Sequence, residues 1–200
     1  CATALILERG FDQVTLEEIC EEAGVSRRTY FNYFASKDQA ASGTGIPAIP
    51  QEDLDRFATT DSDNVVRDIL RYIGRRIDND PDISPALSLD EETSLRIRDR
   101  RRAIMAVTPH LMVSGMRRFD QLAGSILEAI DSHLTTFPEQ RRSTDLSTRE
   151  EATLLTSFIR QCLITGPLIH PDRDLPREDM LNRTGCDLIG LAAAYADNWD

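Results

Sequence analysis

Two adjacent arginines, Arg27 and Arg28, follow Ser26 and precede a run of aromatics, Tyr30, Phe31, Tyr33 and Phe34. A guanidinium can bond guanine O6 and N7 through a bidentate fork, so such a pair on an exposed helix could read base edges. The four rings lie within five residues, in a chain with seven Phe, four Tyr and one Trp. At i, i+4 spacing Tyr30 and Phe34 face inward, which turns Phe31 and Tyr33 outward, where an apolar ring calls for a covering partner. Phe31 could then meet a thymine methyl and Tyr33 a phosphate; packing against a neighbouring helix is the alternative. Lys37, the single lysine of the chain, stands at another helix start, where a cation suggests a phosphate partner.

The elements that must position these groups are marked in the sequence. Thr15 and Glu18 form a T-x-x-E capping box, with Val14 and Ile19 placed as a hydrophobic staple. Leu16, Ile19, Cys20 and Ala23 recur at helical spacing, while Glu17, Glu18, Glu21 and Glu22 take the wet face. Gly24 ends that helix, Val25 can plug the corner, and Ser26 caps a second helix running to about Phe34. Two short helices joined by a glycine-containing turn make a helix-turn-helix. The first turn of the second helix is where cations are disfavoured by about 0.3–1 kcal/mol each. It is also where a helix-turn-helix reaches base edges. A broken local rule there points to function, a solvated arginine pair being the alternative. Ser36 caps the next helix, with Gln39 completing a second box.

The run GFDQVTLEEICEEAGVSRRTYFNYFASK, Gly10 to Lys37, resembles the DNA-binding domain of the TetR family of bacterial transcriptional regulators. The shared features are the glycine-phenylalanine after the first helix, the threonine opening the second, A-G-V-S at the turn, the aromatic recognition helix and the closing F-A-S-K. The resemblance covers about a fifth of the chain. It implies double-stranded DNA as partner, in the form of an inverted-repeat operator. It also implies DNA contacts from Thr15, Ser26, Arg27, Arg28, Phe31, Asn32, Tyr33 and Lys37. The chain opens at Cys1, inside the first helix and without methionine, so a basic N-terminal arm of the kind family members carry is expected to precede it.

The 200 residues are 40% hydrophobic, enough for one or two small domains with a core. The net charge of −11 argues by itself against a nucleic-acid partner. Residues 1–42 hold seven acids (Glu8, Asp12, Glu17, Glu18, Glu21, Glu22, Asp38) against four bases (Arg9, Arg27, Arg28, Lys37), a net −3. Any basic footprint is therefore local to the recognition helix and the next helix start. Cys1, Cys20, Cys162 and Cys186 are scattered, without a CxxC pair, and read as reduced thiols of a cytoplasmic protein. No run approaches the roughly eighteen apolar residues of a membrane span, so no membrane association is expected. His110, His133 and His170 lie far apart, without HExxH, a phosphate-cradling glycine loop or a nucleophile elbow. Neither an enzyme nor a cofactor or metal site is expected.

Along the chain the expected class is all-α, with about nine helices. Residues 1–42 form the helix-turn-helix domain, Ser42 to Pro50 is a glycine- and proline-rich break, and residues 51–200 form a helical bundle. Helices are predicted over 51–57, 63–78, 89–107, 108 to about 133, 148–169 and 178–198. Arg96, Arg98, Arg100, Arg101 and Arg102 make the densest basic run; interleaved Leu95, Ile97, Ile104 and Met105 favour a solvated, salt-bridged helix. Thr108 caps the next helix with Pro109 at its first position. Gly166-Pro167 should kink or end the helix that starts at Thr148.

By resemblance the second domain binds a small-molecule effector, and its last two long helices pair with their copies in a homodimer. Gly185, Gly190, Ala192, Ala193 and Ala196 permit close helix approach there, although packing within one chain explains them nearly as well. Met105, His110, Met112, Met116, Phe119, Phe158 and Cys162 are candidates to line the effector cavity, methionine adapting to varied apolar ligands. The expected activity is that of a sequence-specific regulator, in this family usually a repressor released from a palindromic operator. The alternative is a helical protein-interaction module without sequence-specific DNA binding, which the acidic charge favours.

Overall fold

The computed structural model describes residues 1–43, 45–79, 90–170 and 175–196, without the side chains of residues 91 and 112–118. Among the described residues there are ten α-helices, one short 3-10 turn and no strand. The protein is all-α, and it divides into two compact units, Cys1–Pro47 with Asp80–Asp120, and Ala48–Asn79 with Gln121–Asp200. The stretch between the predicted helices over 63–78 and 89–107 lies almost wholly outside the described residues.

The first unit holds α1 (Ala2–Arg9), α2 (Leu16–Ala23), α3 (Arg27–Tyr33), α4 (Lys37–Ser42) and α7 (Glu91–Val107). Its core joins Leu5, Ile6, Val14, Ile19, Cys20, Tyr30, Ala40 and Ala41 to Ile104 and Leu111. Full burial of each aliphatic side chain contributes about 1.5–3 kcal/mol. The helix carrying the arginine run therefore packs on α1 and α4, and this unit extends beyond the 1–42 stretch. On α7 only Ile104 of the four expected core residues is fully buried; Leu95, Ile97 and Met105 are half-buried. Arg96 reaches Glu92 at 3.9 Å.

The second unit holds α5 (Gln51–Thr59), α6 (Val65–Asn79), the C-terminal part of α8 (Pro109–Thr136), a 3-10 turn (Pro138–Gln140), α9 (Thr148–Ile169) and α10 (Arg177–Ala196). Gly74 is the closest point between α6 and α10, because a Cβ there would stand 2.5 Å from the backbone N and Cα of Glu178. The junction is tied by polar groups as well. The Asp78 carboxylate accepts the Arg177 amide at 2.7 Å, an anion on the positive end of α10. The Arg75 guanidinium forks onto Glu178 at 2.7 and 2.9 Å. At the other end, fully buried His133 has Nδ1 2.8 Å from the Phe57 carbonyl and Nε2 2.6 Å from Gln140 Oε1, which clamps α5 and the 3-10 turn to α8.

Pro167 lies inside α9, which runs over the predicted range to Ile169. Proline removes only one backbone donor, and the His170 amide closes the last turn on Gly166 at 2.9 Å. By length and composition alone, α9 is a helix apolar enough to cross a membrane, contrary to the reading that no such run exists. In this fold its Ala152, Ile159, Cys162 and Gly166 are buried, and α9 packs on α6 and α10.

Candidate nucleic-acid interface

The supports of α3 are local and complete. The Thr15 hydroxyl accepts the Glu18 amide at 3.2 Å, and the Glu18 carboxylate accepts the Thr15 amide at 2.7 Å, so the capping box is present in both directions. These bonds hold the Glu18 carboxyl below its ordinary range, the Thr15 backbone bond contributing most. Gly24 adopts φ 65°, ψ 31°, its amide reaching Glu21 while the Val25 amide reaches Cys20, a Schellman closure that needs a left-handed residue. Val25 does not plug the corner; it is 37% exposed, and the interior is filled by Val14, Ile19 and Cys20. Ala23, placed on the apolar stripe by spacing, is also exposed, at the last position of α2.

Ser26 caps α3 by accepting the Thr29 amide at 3.1 Å. Tyr30 anchors the helix from inside: it is buried, and its hydroxyl donates to the Ser36 carbonyl at 3.2 Å. Burial pushes that phenol up to about 12. Phe34 is half-buried against Tyr30, ring centroids 5.5 Å apart. Arg27, Arg28, Phe31 and Asn32, at three- and four-residue spacing, are all exposed, and so is Tyr33. Phe31 is 49% and Tyr33 73% exposed, so inward packing accounts for neither ring, although Phe31 sets its edge against Tyr30.

The cations differ in their engagement. Arg27 pairs with Glu17 at 2.6 Å on the open surface, a contact worth about 0–1 kcal/mol. Arg28 has no ion-pair partner among the described residues. Lys37 is turned inward: its Nζ donates to the carbonyls of Phe11 at 2.7 Å and Val14 at 2.8 Å and lies 4.1 Å from the Phe11 ring centroid. Sequence reading missed this tie, whose only local signal was the phenylalanine after Gly10. Ser36 caps α4, but Gln39 accepts the Ala35 amide, one residue before the expected one.

The expected effector residues divide between the two units. Met105 is half-buried on α7, exposed His110 sets its ring against Phe11 at 4.7 Å, and Phe119 is half-buried, all in the first unit. Met112 and Met116 lie outside the described side chains. In the second unit Cys162 is fully buried, its thiol pushed up to about 11 by that burial, and Phe158 lines a cavity of about 650 Å³. Among the described residues no cluster of His, Cys, Asp or Glu could hold a metal ion.

Residues 1–39 match the family described as "Bacterial regulatory proteins, tetR family". Over 122 residues the chain is 32% identical to a Mycobacterium tuberculosis protein named as a mycofactocin biosynthesis transcriptional regulator, MftR. That similarity covers 59% of this chain and 54% of the relative, so the chain spans about half the length of the relative it matches. The match to the tetR family spans residues 1–39, the stretch that holds the capped helix-turn-helix and the outward aromatic helix.

Proposed function

We propose that this protein is a sequence-specific, DNA-binding regulator of transcription, a cytoplasmic repressor released from its operator by a small molecule. The observation that carries the reading is the outward face of α3, where Arg28, Asn32 and two exposed aromatics stand on a helix fixed from below by Tyr30. Arg27 and Arg28 read guanine edges, Phe31 meets a thymine methyl, and Tyr33 with the capping residues Thr15 and Ser26 lies along the phosphates. Lys37 contacts a phosphate through the one ammonium hydrogen its two carbonyl bonds leave over. Residues 1–42 perform recognition, and 51–200 carry the effector site and the dimer contact.

The dimer reading rests on the outer faces of α9 and α10. Leu154, Ile164, Leu168, Leu191 and Tyr195 are each 47–65% exposed, more apolar surface than a monomer ordinarily leaves to water. Two copies joined there would present two α3 helices to successive major grooves, about one helical turn apart.

Selection of DNA from a random pool, at near-physiological salt, tests the proposal. An enriched inverted repeat is expected, and its half-site spacing reports the dimer geometry. The net charge of −11 favours a second reading, a helical protein-interaction module. A pool without enrichment at several salt concentrations would put that reading first.

A further inference from the structure

The cavity in the second unit has a chemistry of its own, and this inference rests on the effector reading above. It is walled by α6, α9 and α10, and its volume of about 650 Å³ is that of a small-molecule site. Leu70, Leu155, Phe158 and Ile189 form an apolar middle. Polar groups collect at the ends. At one end Glu151 is already committed, accepting from Arg141 at 3.1 Å and from the Arg142 amide at 2.7 Å. At the other end stand Arg71 and the half-buried amide of Asn182.

Arg71 is the unfinished group. Its nearest acid, Glu178, takes the two-bond fork of Arg75, and that fork holds the Glu178 carboxyl below its ordinary range. Arg71 is left 3.6 Å away, and its Nε is buried from water without a hydrogen-bond partner. The side chain as a whole, 42% exposed, lines the cavity, and its outer N–H donors are open to an acceptor held there. A carboxylate is the acceptor that matches a guanidinium edge, and the Asn182 amide can donate to its other oxygen. Asp179 also borders this end, but it is exposed, where water and salt screen its charge.

We propose that the cavity binds an apolar monocarboxylic acid, its carboxylate on Arg71 and Asn182 and its hydrocarbon body along Leu70, Leu155 and Phe158. Decanoate, decan-1-ol and decylamine, equal in chain length and held below micelle-forming concentrations, are the probes, titrated calorimetrically into the DNA-free protein. Decanoate is expected to bind at least tenfold more tightly than the alcohol or the amine. R71M should remove that preference, bringing decanoate to the level of decan-1-ol, and L155W should abolish binding of all three by filling the middle. Equal binding of decanoate and decan-1-ol, or a preference that survives R71M, overturns the assignment. Should R71M fail to fold, judged by its circular-dichroism melt, the head-group series on the native protein decides alone. Release from the selected DNA is a separate readout. Tight decanoate binding without release retires the effector role and keeps the carboxylate site, whereas release by other compounds without decanoate binding does the reverse.

Discussion

The Lys37 ammonium lies 2.7 Å from the carbonyl oxygen of Phe11, twenty-six residues upstream. With its second bond to Val14 and its place over the Phe11 ring, it ties the start of α4 to the turn after α1. A cation at a helix N-terminus, disfavoured by the macrodipole, is thereby matched to two carbonyl oxygens. Lys37→Met should destabilise the first unit by about 1.5–3 kcal/mol, the range for hydrogen bonds to a charged group. It should also weaken binding to selected and random DNA alike and lower the salt slope by about one. Thermal melts and a salt titration check this together; an unchanged melting temperature would show that the tie contributes nothing to the fold.

Arg27 and Arg28 should separate in mutagenesis. Arg28 is exposed without an ion-pair partner among the described residues, whereas Arg27 must first leave Glu17. Arg28→Ala is expected to cost about 1–3 kcal/mol on the selected sequence and less on random DNA, the mark of a base contact. Glu17→Gln should leave affinity unchanged or tighten it by under about 1 kcal/mol, since an exposed pair is weak. Equal losses on both DNAs for Arg28→Ala would reduce it to a phosphate contact.

What the sequence made legible was what lies within a few residues of itself. The Thr15–Glu18 box, the left-handed Gly24, the Ser26 cap and inward Tyr30 each depend on partners at most five or six positions away, and each stands as expected. The Lys37 tie was not legible because its partners lie 26 and 23 residues back, a separation without a spacing signature. The same holds for α7: that Ile104 would join Leu5 and Ile6 depends on a pairing across about a hundred residues. The cavity candidates divide between the two units for a related reason. Apolar type and helical spacing select core residues in general, and Cys162 is such a residue, while a cavity wall also needs the polar groups of neighbouring helices.

At Gly74 the requirement is steric, with no special φ involved. A Cβ 2.5 Å from the backbone of Glu178 cannot be absorbed by a side-chain rotation, because the clashing atoms are main chain. Gly74→Ala should therefore destabilise the second unit by about 1–3 kcal/mol or more, as overpacking does. Gly190→Ala, in α10 with nothing within 4 Å, should instead gain up to about 1 kcal/mol of helix propensity in the single chain. Chemical denaturation of the two variants compares them. A Gly74→Ala protein as stable as its parent would mean that α6 and α10 meet less closely than described.

The ionisable groups predict how stability changes at both pH extremes. Glu18, Glu150 and Glu178 are held below the ordinary carboxylate range, chiefly by hydrogen bonds from Thr15, Ser147 and Arg75 respectively. A carboxylate more acidic in the fold stabilises it above its unfolded value, and that contribution is lost as pH falls through the folded value. Stability should therefore fall from about pH 5 downward. Cys162 behaves oppositely, since burial pushes its thiol up to about 11 from an ordinary value of 9.0. The unfolded chain ionises first, so its contribution to stability is present below pH 9 and is lost as pH rises toward 11. Replacing Cys162 by alanine should flatten the alkaline limb of the stability curve while leaving the acid limb in place. In the native protein at pH 8, Cys1 and Cys186, both exposed, should react with a thiol reagent well before Cys20 and Cys162, both buried. Four thiols modified at one rate would contradict the burial of α9 on which the packing of the second unit depends.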